Sequence, residues 1–225
     1  MTEIQKAVDG AHLSGPNLFQ SLDNHSFYSY NGNKYAWYDS NPVPANKLYK
    51  FTADGTGSGK WSEDNSFYTA DSNFTQLARV AGAASACGPD TCYAMGRYRD
   101  GTTGTGQAAV PASGLVSYNM TSQVWNNDTL PSTAFAGPWS GGKLLFTDVA
   151  GSKGMLIAIG GSISGQTAFD LPYDYVYLYD IESKNWYKQR TTGDVPAIRY
   201  NVCGVGIRAE KGANSTFEVS RTQYL

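Results

Sequence analysis

The chain predicts an all-β fold built from repeated four-stranded antiparallel units, and three observations carry that prediction. The first is periodicity. Gly32, Gly96 and Gly160 stand 64 residues apart (96 − 32 and 160 − 96), and Trp61, Trp125 and Trp186 follow at 64 and 61 (125 − 61 and 186 − 125). A self-similar period of this length marks a radial or stacked repeat. The second is composition: 13% aromatic residues, 25 glycines and only 16% charged residues, where soluble chains average about 25% charged. Many aromatics and turn formers favour strands over helices. The third is the lack of sustained helical periodicity outside a short stretch from Glu3 to Val8.

The clearest copy of the repeat is Gly154 to Trp186. The apolar run Met155 to Ile159 is too short for a buried helix and reads as a fully buried strand. It stops at Gly160-Gly161, a place where backbones approach closely. The run VYLYDI, Val176 to Ile181, alternates as the next strand, with Tyr177, Tyr179 and Ile181 on one face. Glu182 to Asn185 suits a hairpin loop whose turn Asp180 caps, and Trp186 opens the last strand.

In chain order, repeat one spans about residues 12–67, repeat two 77–131, repeat three 139–192, and part of a fourth 197–219. In repeat one, HLSGPNLF reads as the first strand, His25 to Tyr30 as the second and Lys47 to Thr52 as the third. The insert ADGTGSGK before Trp61 is an elongated hairpin tip. Repeat two opens on the small-residue run LARVAGAASAC. It turns through Cys87-Gly-Pro-Asp-Thr-Cys92 and is completed by Leu115 to Tyr118 and Val124-Trp125. Its segment 97–113 is expected to be a mobile Gly/Thr-rich loop. Repeat three begins at Lys143 to Val149. Val195 to Ile207 is expected to be the first strand of the fourth, with Thr216 to Val219 starting its second.

A glycine pair, a Tyr-rich strand ending Tyr179-Asp180 and a tryptophan some 25 residues on resemble the kelch repeat of β-propellers. The resemblance covers about residues 20 to 208 and looks most like kelch proteins of filamentous fungi, in the galactose-oxidase-central-domain/kelch superfamily. Its signature positions are Gly32, Gly96, Gly160 and Gly161, Tyr118 and Tyr179, and Trp61, Trp125 and Trp186. It implies an incomplete propeller of three blades and part of a fourth, fewer than the four to eight that usually close one. The expectation is therefore a fragment, a truncated non-functional product, or a chain completed by self-association or by missing blades. MTEIQKAVDGAHL has no apolar core and no cleavage site, so it does not read as a signal peptide. The chain opens as if within a domain.

Charge excludes some partners. A net charge of −2 with no Lys/Arg block gives no support for nucleic acid or an acidic membrane, and the apolar runs are too short to span a bilayer. Cys87 and Cys92 face each other across a hairpin and suit a disulfide, while Cys203 is left over. Five sequons, at Asn24, Asn73, Asn119, Asn127 and Asn214, mark candidate glycosylation sites. With the disulfide they point to secretory chemistry, against the absent signal peptide, so the compartment stays open.

No cofactor or metal is expected. His12 and His25 are too few for the copper centre found in one kelch-like branch, and GTTGTGQ, Gly101 to Gln107, lacks the lysine and helix of a phosphate loop. Asp39, Asp100, Asp174 and Asp180 recur near repeat junctions without forming an evident catalytic pair.

In a four-stranded meander the loops after strands two and four leave from the same end. That end gathers Trp37, Tyr38, Arg79, Arg97, Arg99, Tyr173 and Arg199, and aromatics with arginines are common anchors of recognition. Arg79 and Arg199 equally suit a structural part, bonded to neighbouring backbone. The leading expectation is a non-enzymatic scaffold recognising a protein or glycan through this loop face. The alternative is an accessory enzyme rearranging, epimerising or oxidising a small molecule, as in fungal secondary metabolism.

Overall fold

The structure, a computed structural model, describes residues 13–14, 17–20, 26–30, 33–34, 48–64, 83–96, 98–99, 110–111, 114–128, 130, 139–163, 169–198, 204, 206–208 and 217–219. No helix occurs among the described residues; the architecture is all-β and consistent with part of a β-propeller. The chain divides into two compact units, Met1–Thr129 and Leu130–Leu225.

The first unit holds two four-stranded antiparallel sheets. Blade one contains β1 (Leu13–Ser14), β2 (Asn17–Gln20), β3 (Ser26–Tyr30), β4 (Asn33–Lys34), β5 (Leu48–Ala53) and β6 (Gly59–Asp64). Its main sheet has the order β2-β3-β5-β6. Blade two contains β7 (Ala84–Cys87), β8 (Thr91–Met95), β9 (Tyr98–Arg99), β10 (Val110–Pro111), β11 (Leu115–Asn119) and β12 (Val124–Asp128), with the main order β12-β11-β8-β7. In each main sheet neighbouring strands are antiparallel and strand order follows chain order, an up-and-down meander.

The second unit repeats the plan. It contains β13 (Trp139–Ser140), β14 (Lys143–Thr147), β15 (Met155–Ile159), β16 (Ser162–Ile163), β17 (Phe169–Asp170), β18 (Tyr175–Asp180) and β19 (Trp186–Arg190). The main sheet of blade three is β14-β15-β18-β19. A further pair, β20 (Gly206–Arg208) with β21 (Phe217–Val219), follows. Of the strand expected over Val195 to Ile207, residues 206–207 lie in β20, whereas residues 195–198 carry no strand and are exposed. HLSGPNLF is likewise divided, β1 and β2 falling on either side of Gly15-Pro16.

The recurrent tryptophans occupy one equivalent place. Register aligns Phe27, Phe51 and Trp61 across blade one, Cys92, Tyr118 and Trp125 across blade two, and Leu156, Tyr179 and Trp186 across blade three. Each indole therefore lies beside the third-strand aromatic directly opposite it, with ring centroids at 5.2, 4.6 and 5.1 Å. Such cross-strand aromatic pairs are worth about 0.5–1.5 kcal/mol beyond simple burial.

In the first unit the two sheets share a core. Tyr28 and Leu48 of blade one pack with Cys92, Ala94, Tyr118 and Trp125 of blade two, and Tyr28 meets Tyr118 edge-on at 5.5 Å. On the opposite face of blade one, Phe27, Phe51 and Trp61 form a three-ring cluster. In blade three Leu144, Leu156, Ala158 and Tyr179 are buried on a single face, the alternation that a strand pleat requires.

The hairpin tips are held by carboxyl and amide caps. Asp180 Oδ1 accepts the backbone N–H groups of Glu182 and Ser183, which bears out its expected capping part. In blade one, Asp54 Oδ1 accepts from the Thr56 and Ser58 backbone and from the Thr56 hydroxyl. These bonds, the Thr56 backbone N–H foremost, hold the Asp54 carboxyl below its ordinary value.

Candidate functional site

The end of each blade from which the inter-strand loops emerge carries a second layer of short pairing. After its second strand the chain continues, two residues on, into another short strand: β4 after β3, β9 after β8, β16 after β15. In blades two and three the break is made by glycine with positive φ: Gly96 at 87°, Gly160 at 62° and Gly161 at 84°. L-residues resist that backbone region by roughly 1–2 kcal/mol, so glycine is the residue that lets the strand turn away from its sheet there. Counted from the end of the second strand, Gly96 and Gly160 come first of the two intervening residues, whereas Gly32 comes second.

These extensions pair with what lies on either side. β16 joins β13 and β17 in a three-stranded layer; β9 pairs with β10, and β4 with β1. The segment expected to be a mobile loop, 97–113, therefore contains a pairing of Tyr98–Arg99 with Val110–Pro111. Hairpin ends of this kind bring the segments 100–109 and 164–168 back onto paired bases.

In blade three the layer is fastened by two aromatic side chains. Trp139, 1% exposed, donates its indole N–H to the Gly160 carbonyl at 2.7 Å. Its ring lies over Gly142, where any Cβ would collide with it. Tyr173 packs on the other glycine: a Cβ at Gly160 would stand 2.9 Å from the Tyr173 hydroxyl. The backbone around Tyr173 is tied down too, since its carbonyl accepts the Thr191 hydroxyl at 2.7 Å and the Asp174 carbonyl accepts the Thr191 N–H at 2.8 Å. Tyr173, read from sequence as a ligand-face residue, thus packs half-buried against the glycine break.

Among the other expected ligand-face residues, Arg99 lies in β9, paired with Val110. Trp37, Tyr38, Arg79, Arg97 and Arg199 lie outside the described residues, as do Gly32, Cys203 and the sequons at Asn24, Asn73 and Asn214. Trp139 and Gly142 were missed by the sequence reading because Trp139 has no counterpart at the tryptophan period. The signal available was a tryptophan three residues before Gly142, at the entry to an apolar strand.

Chemistry in blade two is oxidative and structural. Cys87 and Cys92 form a disulfide between directly paired residues, as their hairpin spacing suggests. Gly88 N–H donates to the Thr91 carbonyl at 2.8 Å, closing the turn between them. Burial, with the Asp90 charge adding to it, pushes the Tyr93 hydroxyl up to about 12. Among the described residues no group of three or more His, Cys, Asp or Glu could hold a metal ion, and no helix is long and apolar enough to cross a membrane.

No family model matches the chain. It is 32% identical over 95 residues to a kelch repeat-containing protein of Arthroderma benhamiae, a stretch covering 41% of this chain and 14% of that relative. The chain is thus similar in sequence to a fungal kelch repeat-containing protein, and its four-stranded antiparallel sheets fit blade-like kelch repeats.

Proposed function

We propose that the chain is a kelch-type binding module that recognises a protein or glycan ligand through the loop end of its blades. The observation supporting this reading is the second layer of short strands, which anchors the bases of segments 100–109 and 164–168 on glycine breaks. Anchored bases reduce the ordering entropy that a loop loses on binding. The residues between them, DGTTGTGQAA and SGQTA, are small and rich in hydroxyl and amide groups, the adaptable hydrogen-bonding chemistry of recognition loops.

The test replaces residues 100–109 or 164–168 by Gly-Ser sequence of equal length in the full chain. Binding to defined oligosaccharides on an array, or cross-links from a protein ligand into 98–111 and 162–170, should fall at least about tenfold, a loss of roughly 1.4 kcal/mol, while far-ultraviolet circular dichroism is unchanged. Binding that survives both replacements contradicts the reading. Turnover of a small molecule by the purified chain would favour an accessory enzyme instead. The same reading expects the blades to associate with further blades, and light scattering that finds a compact, stable monomer counts against that part.

A further inference from the structure

Of the two sequon asparagines among the described residues, Asn119 and Asn127, only one is open to carry a sugar. We propose that Asn127 is an N-glycosylation site on the outer strand of blade two, and that Asn119, eight residues earlier, is not. This is independent of which ligand the loop end takes.

The two asparagines sit in the same sheet with opposite surroundings. Asn119 ends β11, and all its amide chemistry is engaged. Its Nδ2 donates to Asp90 Oδ2 at 3.3 Å and to Thr91 Oγ1 at 3.2 Å, reaching across to the β7–β8 hairpin. Its Oδ1 accepts the backbone N–H groups of Thr121 and Ser122 at 3.0 and 2.7 Å, closing the β11–β12 turn. A sugar on Nδ2 would remove one of the two N–H groups and place its ring against the Asp90–Thr91 hairpin.

Asn127 lies on β12, last in the strand order of its sheet, with both it and Asn126 exposed. Its side chain rests over Gly114, where a Cβ would overlap the Asn127 Oδ1. The missing side chain at Gly114 thus leaves room for the carboxamide at the sheet surface. Blade two also carries the Cys87–Cys92 disulfide, a bond that persists in the oxidising compartments where oligosaccharide transfer takes place.

The reaction requires a lipid-pyrophosphate-linked oligosaccharide as co-substrate. A bond forms between Asn127 Nδ2 and the anomeric carbon of the first sugar, the carbon–oxygen bond to the pyrophosphate breaks, and one Nδ2 proton is lost as the lipid pyrophosphate leaves.

The full chain would be secreted behind a heterologous leader from a eukaryotic host and purified as the folded species. It would then be deglycosylated with a peptide amidase in heavy-oxygen water and mapped by mass spectrometry. Heavy-oxygen aspartate is expected at position 127 and unmodified asparagine at position 119. Asn127→Gln and Thr129→Ala should each remove one glycan from the intact mass. Thr121→Ala, which destroys the other sequon but keeps the backbone N–H that Asn119 accepts, should leave the mass short only of the side-chain difference. Bare Asn127 in the folded secreted protein, or a glycan at Asn119, overturns the proposal.

Discussion

Blades two and three share one register but are held by different means. Blade two is closed at its first turn by the Cys87–Cys92 disulfide and buries Trp125 to 5% exposure in a core shared with Tyr28 and Leu48. Blade three has an apolar Phe146–Leu156 pair where blade two has the disulfide, and its Trp186 is half-buried. In exchange it has the full glycine pair, the Trp139–Gly160 hydrogen bond and Tyr173 seated on the glycine break. The lesson is that the repeat conserves positions, namely a second-strand break and a third-strand aromatic facing a fourth-strand indole. What fills the rest of the sheet differs from copy to copy.

The sharpest way to break that comparison is to remove the indoles. Trp125→Ala should cost about 3–5 kcal/mol, the usual range for deleting a buried large aromatic, whereas Trp61→Ala and Trp186→Ala should cost less because both rings are partly exposed. Urea unfolding followed by circular dichroism measures this, and equal losses at all three sites would erase the distinction.

Glycine substitutions come next. Gly160→Ala combines a left-handed backbone, about 1–2 kcal/mol, with overlap against Tyr173, about 1–3 kcal/mol. Gly193, with φ of 88° and nothing within 4 Å of its missing Cβ, should show only the backbone part on substitution by alanine. If Gly193→Ala proves as destabilising as Gly160→Ala, Tyr173 does not rest on the break as described.

Opening the disulfide is expected to matter less. Cys87→Ala should lower stability by about 2 kcal/mol, since the loop it closes is short, and the loss should appear in blade two amide exchange before blade three.

The smallest effect is alkaline. The Tyr93 hydroxyl is raised to about 12 in the folded chain, so its contribution is fully present below the ordinary value of 10.0 and is lost as pH rises from there through about 12. Tyr93→Phe should remove one phenolate step near pH 12 from the absorbance titration and flatten the stability decline in that window.

The strands and their rows were legible because period-two alternation and the tryptophan spacing survive in every copy, and Asp180 and the cysteines sit where hairpin chemistry places them. The second layer was not legible. β9, β10, β16 and β17 are two residues each, too short to show alternation, and their pairing depends on glycines whose φ a sequence does not print. Trp139 escaped notice because it breaks the period rather than obeying it. The strand expected across Val195 to Ile207 was overextended: apolar spacing there persists through residues 195–198, which the fold leaves exposed.

The central claim is that three indoles of one chain occupy one structural position. Double-mutant cycles at Phe51–Trp61, Tyr118–Trp125 and Tyr179–Trp186, each residue replaced by leucine, measure it most directly. The account predicts a coupling of about 0.5–1.5 kcal/mol at every pair. A coupling indistinguishable from zero at any one of them would contradict it.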